Sequence, residues 1–135
     1  MFLLDTNVWL ELLLEQEKAD QVRHMLEAEE TWRLALTDFS LHSLGVILTR
    51  LNKDELFLDF LSDTLDDSAI PVIRLDTAGL KEVPKVCRKF GLDFDDAYQY
   101  LAAAKHNLTL VSFDSDFDRT ERGRRTPADV TGPKR

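Results

Sequence analysis

The chain has a single cysteine, Cys87, which excludes an internal disulfide; in Val86-Cys87-Arg88, on a helix-like segment, it reads as a packing residue. Long apolar runs are also missing. None approaches the roughly 18 residues that a membrane span requires, so a soluble protein is expected. The start, Met1-Phe2-Leu3-Leu4-Asp5, lacks the basic segment of a secretory leader, and Asp5 and Asn7 break its apolar stretch at once. The expected location is therefore the cytoplasm. There is no internal repeat and no low-complexity segment. Positive charge is scarce, with 17 Lys and Arg against 25 Asp and Glu, an unfavourable balance for a polyanionic partner unless the cations are concentrated. They are concentrated: from Arg119 to Arg135 six Lys or Arg face only Glu121 and Asp129.

At 135 residues, 44% hydrophobic and 31% charged, the chain matches one globular domain with no room for a second. Residues 1–122 are expected to form it. Residues 123–135 read as a basic C-terminal tail, either a strip for a phosphate backbone or a solvated extension.

Apolar strand-like runs alternate with amphipathic helical ones. Met1 to Leu4 reads as a strand and Arg33 to Thr37 as a second. Ile70 to Leu75 reads as a third, which Pro71 places at an edge, and Leu108 to Phe113 as the fourth. Between them Val8 to Leu14, Lys18 to Glu29, Leu41 to Leu51, Leu56 to Leu65, Lys81 to Phe90 and Phe94 to Lys105 carry helical periodicity. Asp38 or Ser40 is a candidate cap for the third helix, Pro84 is expected in or near the first turn of the fifth, and Gly91 is its stop. This alternation predicts an α/β fold with a central parallel sheet covered on both faces.

Carboxylates stand where strands end or helices begin. Asp5 follows the first strand, Asp96 lies in the first turn of the helix before the last strand, and Asp114 and Asp116 follow that strand. In a parallel sheet the carboxyl ends of strands face one crevice, so these four residues are expected to share one acidic pocket. Like charges so gathered raise one another's pKa unless a cation neutralises them, and an all-oxygen set suits Mg²⁺ or Mn²⁺. Each also has a plain structural reading: Asp5 as a helix cap, Asp93 or Asp95 as the cap before Asp96, and Asp114-Ser115-Asp116 as an Asx turn. Asn7, Asp95 and Ser112 are candidate accessory residues, Ser112 as a hydrogen-bond partner of a carboxylate.

Taken in order, Leu3-Leu4-Asp5-Thr6-Asn7, Asp96-Ala97 and Leu110-Val111-Ser112-Phe113-Asp114-Ser115-Asp116-Phe117 resemble the PIN-domain nucleases, most closely the VapC-like toxins of toxin–antitoxin pairs. The resemblance covers roughly residues 1 to 118. It implies a three-layer α/β/α sandwich, Mg²⁺- or Mn²⁺-dependent endoribonuclease activity on tRNA or rRNA, homodimerisation and inhibition by a cognate antitoxin. It also implies Asp5, Asp96 and Asp114 as metal ligands, assisted by Asp116. The family normally carries a glutamate on the helix after the second strand. The matching stretch, Thr37-Asp38-Phe39-Ser40-Leu41-His42-Ser43-Leu44-Gly45, has none, and by register the position falls at Ser43, or at His42 if offset by one.

The missing glutamate motivates a rival expectation, a catalytically weakened domain that binds RNA or protein without cutting. A phosphorelay receiver also gathers acids at strand ends. It fits less well, because strand one offers no acidic pair and no Lys follows the last strand in place. Trp9, Trp32, Leu56 and Phe57 could serve a partner surface or the core.

Overall fold

The computed structural model describes residues 1–132, apart from the side chain of Trp32. Strand β1 (Phe2–Leu4) leads into helices α1 (Thr6–Leu13) and α2 (Ala19–Ala28), and β2 (Leu34–Thr37) into α3 (Asp38–Arg50) and α4 (Asp54–Leu61). A π-helical turn at Ser62–Asp67 precedes β3 (Val72–Ile73), α5 (Thr77–Phe90), α6 (Phe94–Lys105) and β4 (Thr109–Val111). A 3-10 turn at Ser115–Arg119 and the short α7 (Pro127–Thr131) follow. The sheet order is β3-β2-β1-β4 with every pairing parallel, so β3 is an edge strand, as Pro71 suggests.

Successive residues of a strand point to opposite faces, and the two cores separate accordingly. Leu3, Ala35 and Leu110 pack with Val83, Ala97 and Leu101 of α5 and α6. Phe2, Leu4, Leu34, Leu36 and Val111 pack with Val8, Trp9, Val22, Met25, Leu44 and Phe60 of α1 to α4. This is the α/β/α sandwich. Burial on both faces explains why the strands read as continuous apolar runs. Among the described residues no helix is long and apolar enough to cross a membrane.

Three local expectations are corrected. Helix α5 starts at Thr77, capped by Asp76, whose Oδ1 accepts from the Gly79 amide at 2.8 Å. Pro84 therefore lies inside the helix, on its exposed side, where the packing of Val83 offsets the lost hydrogen bond. The cap of α3 is Thr37, whose Oγ1 accepts from the Ser40 amide at 3.0 Å, so Asp38 and Ser40 both belong to its first turn. Third, the stretch read as a basic tail continues the fold. The Arg125 amide donates to the Leu110 carbonyl at 2.8 Å and the Ser112 amide to the Arg125 carbonyl at 2.9 Å, covering the free edge of β4. Thr126 and Asp129 then form a capping box for α7, whose neighbour is α2. Lys134 and Arg135 lie outside the described residues.

Candidate metal centre

Asp5 is the first residue past β1, and its amide still continues the sheet by donating to Val111 O at 2.9 Å. Its carboxylate is buried and takes donors on both oxygens. Oδ1 accepts from the Thr6 amide at 2.8 Å and from Gln99 Nε2 at 2.9 Å, and Oδ2 from Ser112 Oγ at 2.8 Å. Burial pushes its pKa up, the Gln99, Ser112 and Thr6 donors pull the other way, and the nearby Asp114 charge adds to the rise.

Helix α6 begins at Phe94 because Asp93 caps it, accepting from the Asp96 amide at 2.9 Å. That leaves the Asp96 side chain free to face the end of β4. There Ser112 Oγ accepts from the Asp114 amide at 3.0 Å, and Asp114 Oδ1 accepts from the Asp116 amide at 2.8 Å. This Asx turn swings both carboxylates toward α6. One oxygen each of Asp96, Asp114 and Asp116 lies within 4.8 Å of the others. The Asp96 carboxyl is pushed up to about 8, first by burial and then by the charges of Asp93, Asp114 and Asp5. Such an all-oxygen trio, unable to hold its full negative charge alone, fits a hard divalent cation. Asp5 is not one of the three and lies behind them, tied to Asp114 through Ser112.

The accessory residues divide. Asn7 accepts from the Phe113 amide at 3.2 Å and donates to Ser112 Oγ at 3.1 Å, pinning α1 to the loop after β4. Asp95 is exposed on the first turn of α6. His42 is exposed and lines a shallow surface pocket with Leu41, Gly45, Val46, Thr49 and Phe57, away from the carboxylates. Ser43 is half-buried and, among the described residues, bonds to none of them. The α3 residue joined to the site is instead Ser40, in the first turn behind the Thr37 cap, with its Oγ 2.8 Å from both Gln99 Nε2 and Thr6 Oγ1.

Gln99 escaped the sequence reading. It is 1% exposed, donates to Asp5 and Ser40, and accepts from Thr37 Oγ1 at 2.6 Å. Its signal was present: a polar residue inside the apolar run Ala97 to Ala103, one turn past Asp96. Two arginines of the basic stretch brace the same loop. Arg124 donates to Ser112 O at 3.1 Å and pairs with Asp118, and Arg119 donates to Phe90 O, Gly91 O and Asp116.

With this fold and these carboxylates in place, the sequence match is specific: the PIN domain family covers residues 2–123. The chain belongs to the PIN domain family. Its structure is similar to a toxin–antitoxin complex from Klebsiella pneumoniae, with a TM-score of 0.73 at 19% identity over 94% of this chain and 98% of that one. It is likewise similar to FitAcB from Neisseria gonorrhoeae, with a TM-score of 0.73 at 22% identity over 94% and 98%. A third similar structure is VapC20 of Mycobacterium tuberculosis, a sarcin-ricin loop cleaving toxin, with a TM-score of 0.75 at 14% identity over 87% and 93%. No curated protein sequence matches this chain significantly.

Proposed function

We propose that this protein is an Mg²⁺- or Mn²⁺-dependent endoribonuclease and the toxin of a toxin–antitoxin pair. The observation that carries the reading is the meeting of Asp96, Asp114 and Asp116 within 4.8 Å, beside the carboxyl ends of β1 and β4. Family membership and the likeness to toxin structures support it. In this reading Asp96, Asp114 and Asp116 hold the ion, with the charge of Asp5 behind them. When bound, such an ion supplies Lewis acidity toward a phosphodiester and a nucleophilic water at neutral pH. The chain's own part is positional. Gln99, Ser112 and Thr6 fix both oxygens of Asp5, Ser112 also fixes the Asp114 amide, and Asp93 fixes the first turn that carries Asp96. Among the described residues no histidine adjoins the carboxylates to activate a ribose 2′-hydroxyl, so the expected products carry 5′-phosphate and 3′-hydroxyl ends.

The same reading gives the protein a cytoplasmic location, a second copy of itself as partner and an antitoxin as inhibitor. An apolar cavity of about 300 Å³ lies beside Trp9, Leu12, Leu13, Leu26, Phe60 and Ile70, and none of the four carboxylates lines it.

One observation favours a second reading, a domain that binds RNA or protein without cutting. The α3 stretch from Thr37 to Gly45 has no glutamate, and its residue tied to the site is the neutral Ser40, hydrogen-bonded to Gln99, where a further carboxylate would add negative charge to hold a cation. Cleavage of a structured RNA pool with Mg²⁺, Mn²⁺ or EDTA, beside Asp96→Asn, separates the two. Metal-dependent cutting lost in the variant supports the nuclease. A folded, antitoxin-free protein that binds RNA but cuts with neither metal supports the binding module.

A further inference from the structure

Arg119 leaves the 3-10 turn after β4 and reaches back to the junction of α5 and α6. Its Nε donates to Phe90 O at 3.0 Å, its Nη2 to Gly91 O at 2.6 Å, and its Nη1 to Asp116 Oδ1 at 3.1 Å. Phe90 and Gly91 end α5, where Gly91 turns the backbone at φ +66° and the helix dipole favours a cation. The two carbonyls occupy one edge of the guanidinium and hold its plane, yet as neutral acceptors they leave its charge in place. Three of the five N–H groups are thereby committed, and one remains on each terminal nitrogen. The side chain is 49% exposed. Its carboxylate partner, Asp116, is itself one of the clustered three.

We propose that Arg119 binds phosphate. Held by the end of α5, it contacts a non-bridging oxygen of the phosphodiester presented to the carboxylates and releases Asp116 once a divalent cation occupies the cluster. Two charge facts direct this. Asp116 cannot satisfy both cations equally, because they repel each other across one carboxylate. The Nη1 donor is then open to an anion beside the cation, and the planar fork of Arg matches two oxygens of a phosphate. The inference rests on the nuclease reading. Its structural competitor is that Arg119 serves only as the C-terminal cap of α5.

Arg119→Gln and Arg119→Lys distinguish the two roles when compared with wild type in Mn²⁺ affinity without RNA, in binding of a short single-stranded oligoribonucleotide on an Asp5→Asn background, and in kcat/KM. For Arg119→Gln the Mn²⁺ affinity should be unchanged or several-fold tighter, because a competing cation is gone. Its kcat/KM should fall about 10²-fold, in the range for loss of one preorganised donor to a reacting oxyanion. The slope of log affinity against log salt should shrink by about 0.7, the value for one lost phosphate contact on a single strand. Arg119→Lys should restore the salt slope and only part of kcat/KM. A fall of Mn²⁺ affinity in step with thermal stability, or an unchanged salt slope, would overturn the proposal in favour of the cap. Wild-type protein that neither binds nor cuts the oligonucleotide would overturn the nuclease reading along with it. An active wild type matched by Arg119→Gln would overturn the phosphate contact alone.

Discussion

Gln99→Leu isolates the polar network behind the metal centre. The substitution keeps approximate volume in α6 but removes three hydrogen bonds, from Thr37 Oγ1 at 2.6 Å and to Asp5 Oδ1 and Ser40 Oγ at 2.9 and 2.8 Å. Thr37 and Ser40 are each 0% exposed and Asp5 6%, so water does not replace the lost partners. A buried polar group left unpaired costs about 1–3 kcal/mol, and bonds to charged groups lie at the upper end. With partial relaxation, a loss of about 3–5 kcal/mol is expected, or roughly 10–15 °C in Tm for a domain of this size. The loss should also depend on pH. Gln99 is the strongest of the donors holding down the Asp5 pKa, which burial already raises above 3.8. Removing it raises the folded-state pKa further while leaving the unfolded value alone. Well below the wild-type folded pKa Asp5 is protonated in both folded proteins, and its share of the difference vanishes; as pH rises through that pKa the share grows. Urea unfolding of both proteins in EDTA at several pH values between 4.5 and 8 measures this. A deficit below about 1 kcal/mol, or one that does not increase with pH, would refute the assignment of Gln99 as the donor that sustains Asp5.

Asp5→Asn should abolish RNA cleavage while leaving the circular dichroism spectrum unchanged and metal-free stability within about 1 kcal/mol of wild type, since it removes a charge that burial disfavours; loss of folding would make Asp5 a structural cap. Mg²⁺ or Mn²⁺ should raise Tm and EDTA should reverse it. With Asp96 at about 8, ion binding at pH 7 should release a proton, and affinity should rise up to about pH 8 and then level off; calorimetry in buffers of different ionisation heat reads this directly. The same raised pKa implies that the metal-free protein loses stability as pH rises from 3.8 toward 8, a loss that bound metal should offset. Gly91→Ala should cost about 1–2 kcal/mol from the left-handed backbone alone, because the added Cβ would lie 3.8 Å from the nearest atoms of Arg119; a larger loss in chemical denaturation would indicate a displaced Arg119.

The parallel sheet and its edge strand at Pro71 follow from features visible in the chain, namely apolar runs of strand length with helical periodicity between them, whereas the order β3-β2-β1-β4 comes from the structure. Element ends were less legible, because Thr37 and Asp76 outcompete their neighbours as caps only through the side-chain geometry each adopts. Pro84 shows the same limit, since a local rule places proline in a first turn but tertiary packing carries α5 through it. The basic stretch reads as a tail by composition, yet its backbone pairs with the free edge of β4, a contact that no local pattern announces.

The chain's own chemistry determined that Asp5, Asp96, Asp114 and Asp116 stand at strand ends and a helix start, because polar residues that punctuate buried apolar runs emerge where those runs end. Only the tertiary structure decided their ranking. It brought Asp96, Asp114 and Asp116 within 4.8 Å and set Asp5 behind them under Gln99 and Ser112. It also tied Ser40 of α3 to Asp5 through Gln99 and left His42 exposed. Those choices depend on where α3 and α6 are capped and how they lie across the sheet, which set the direction of each side chain, and direction is not a property of sequence spacing.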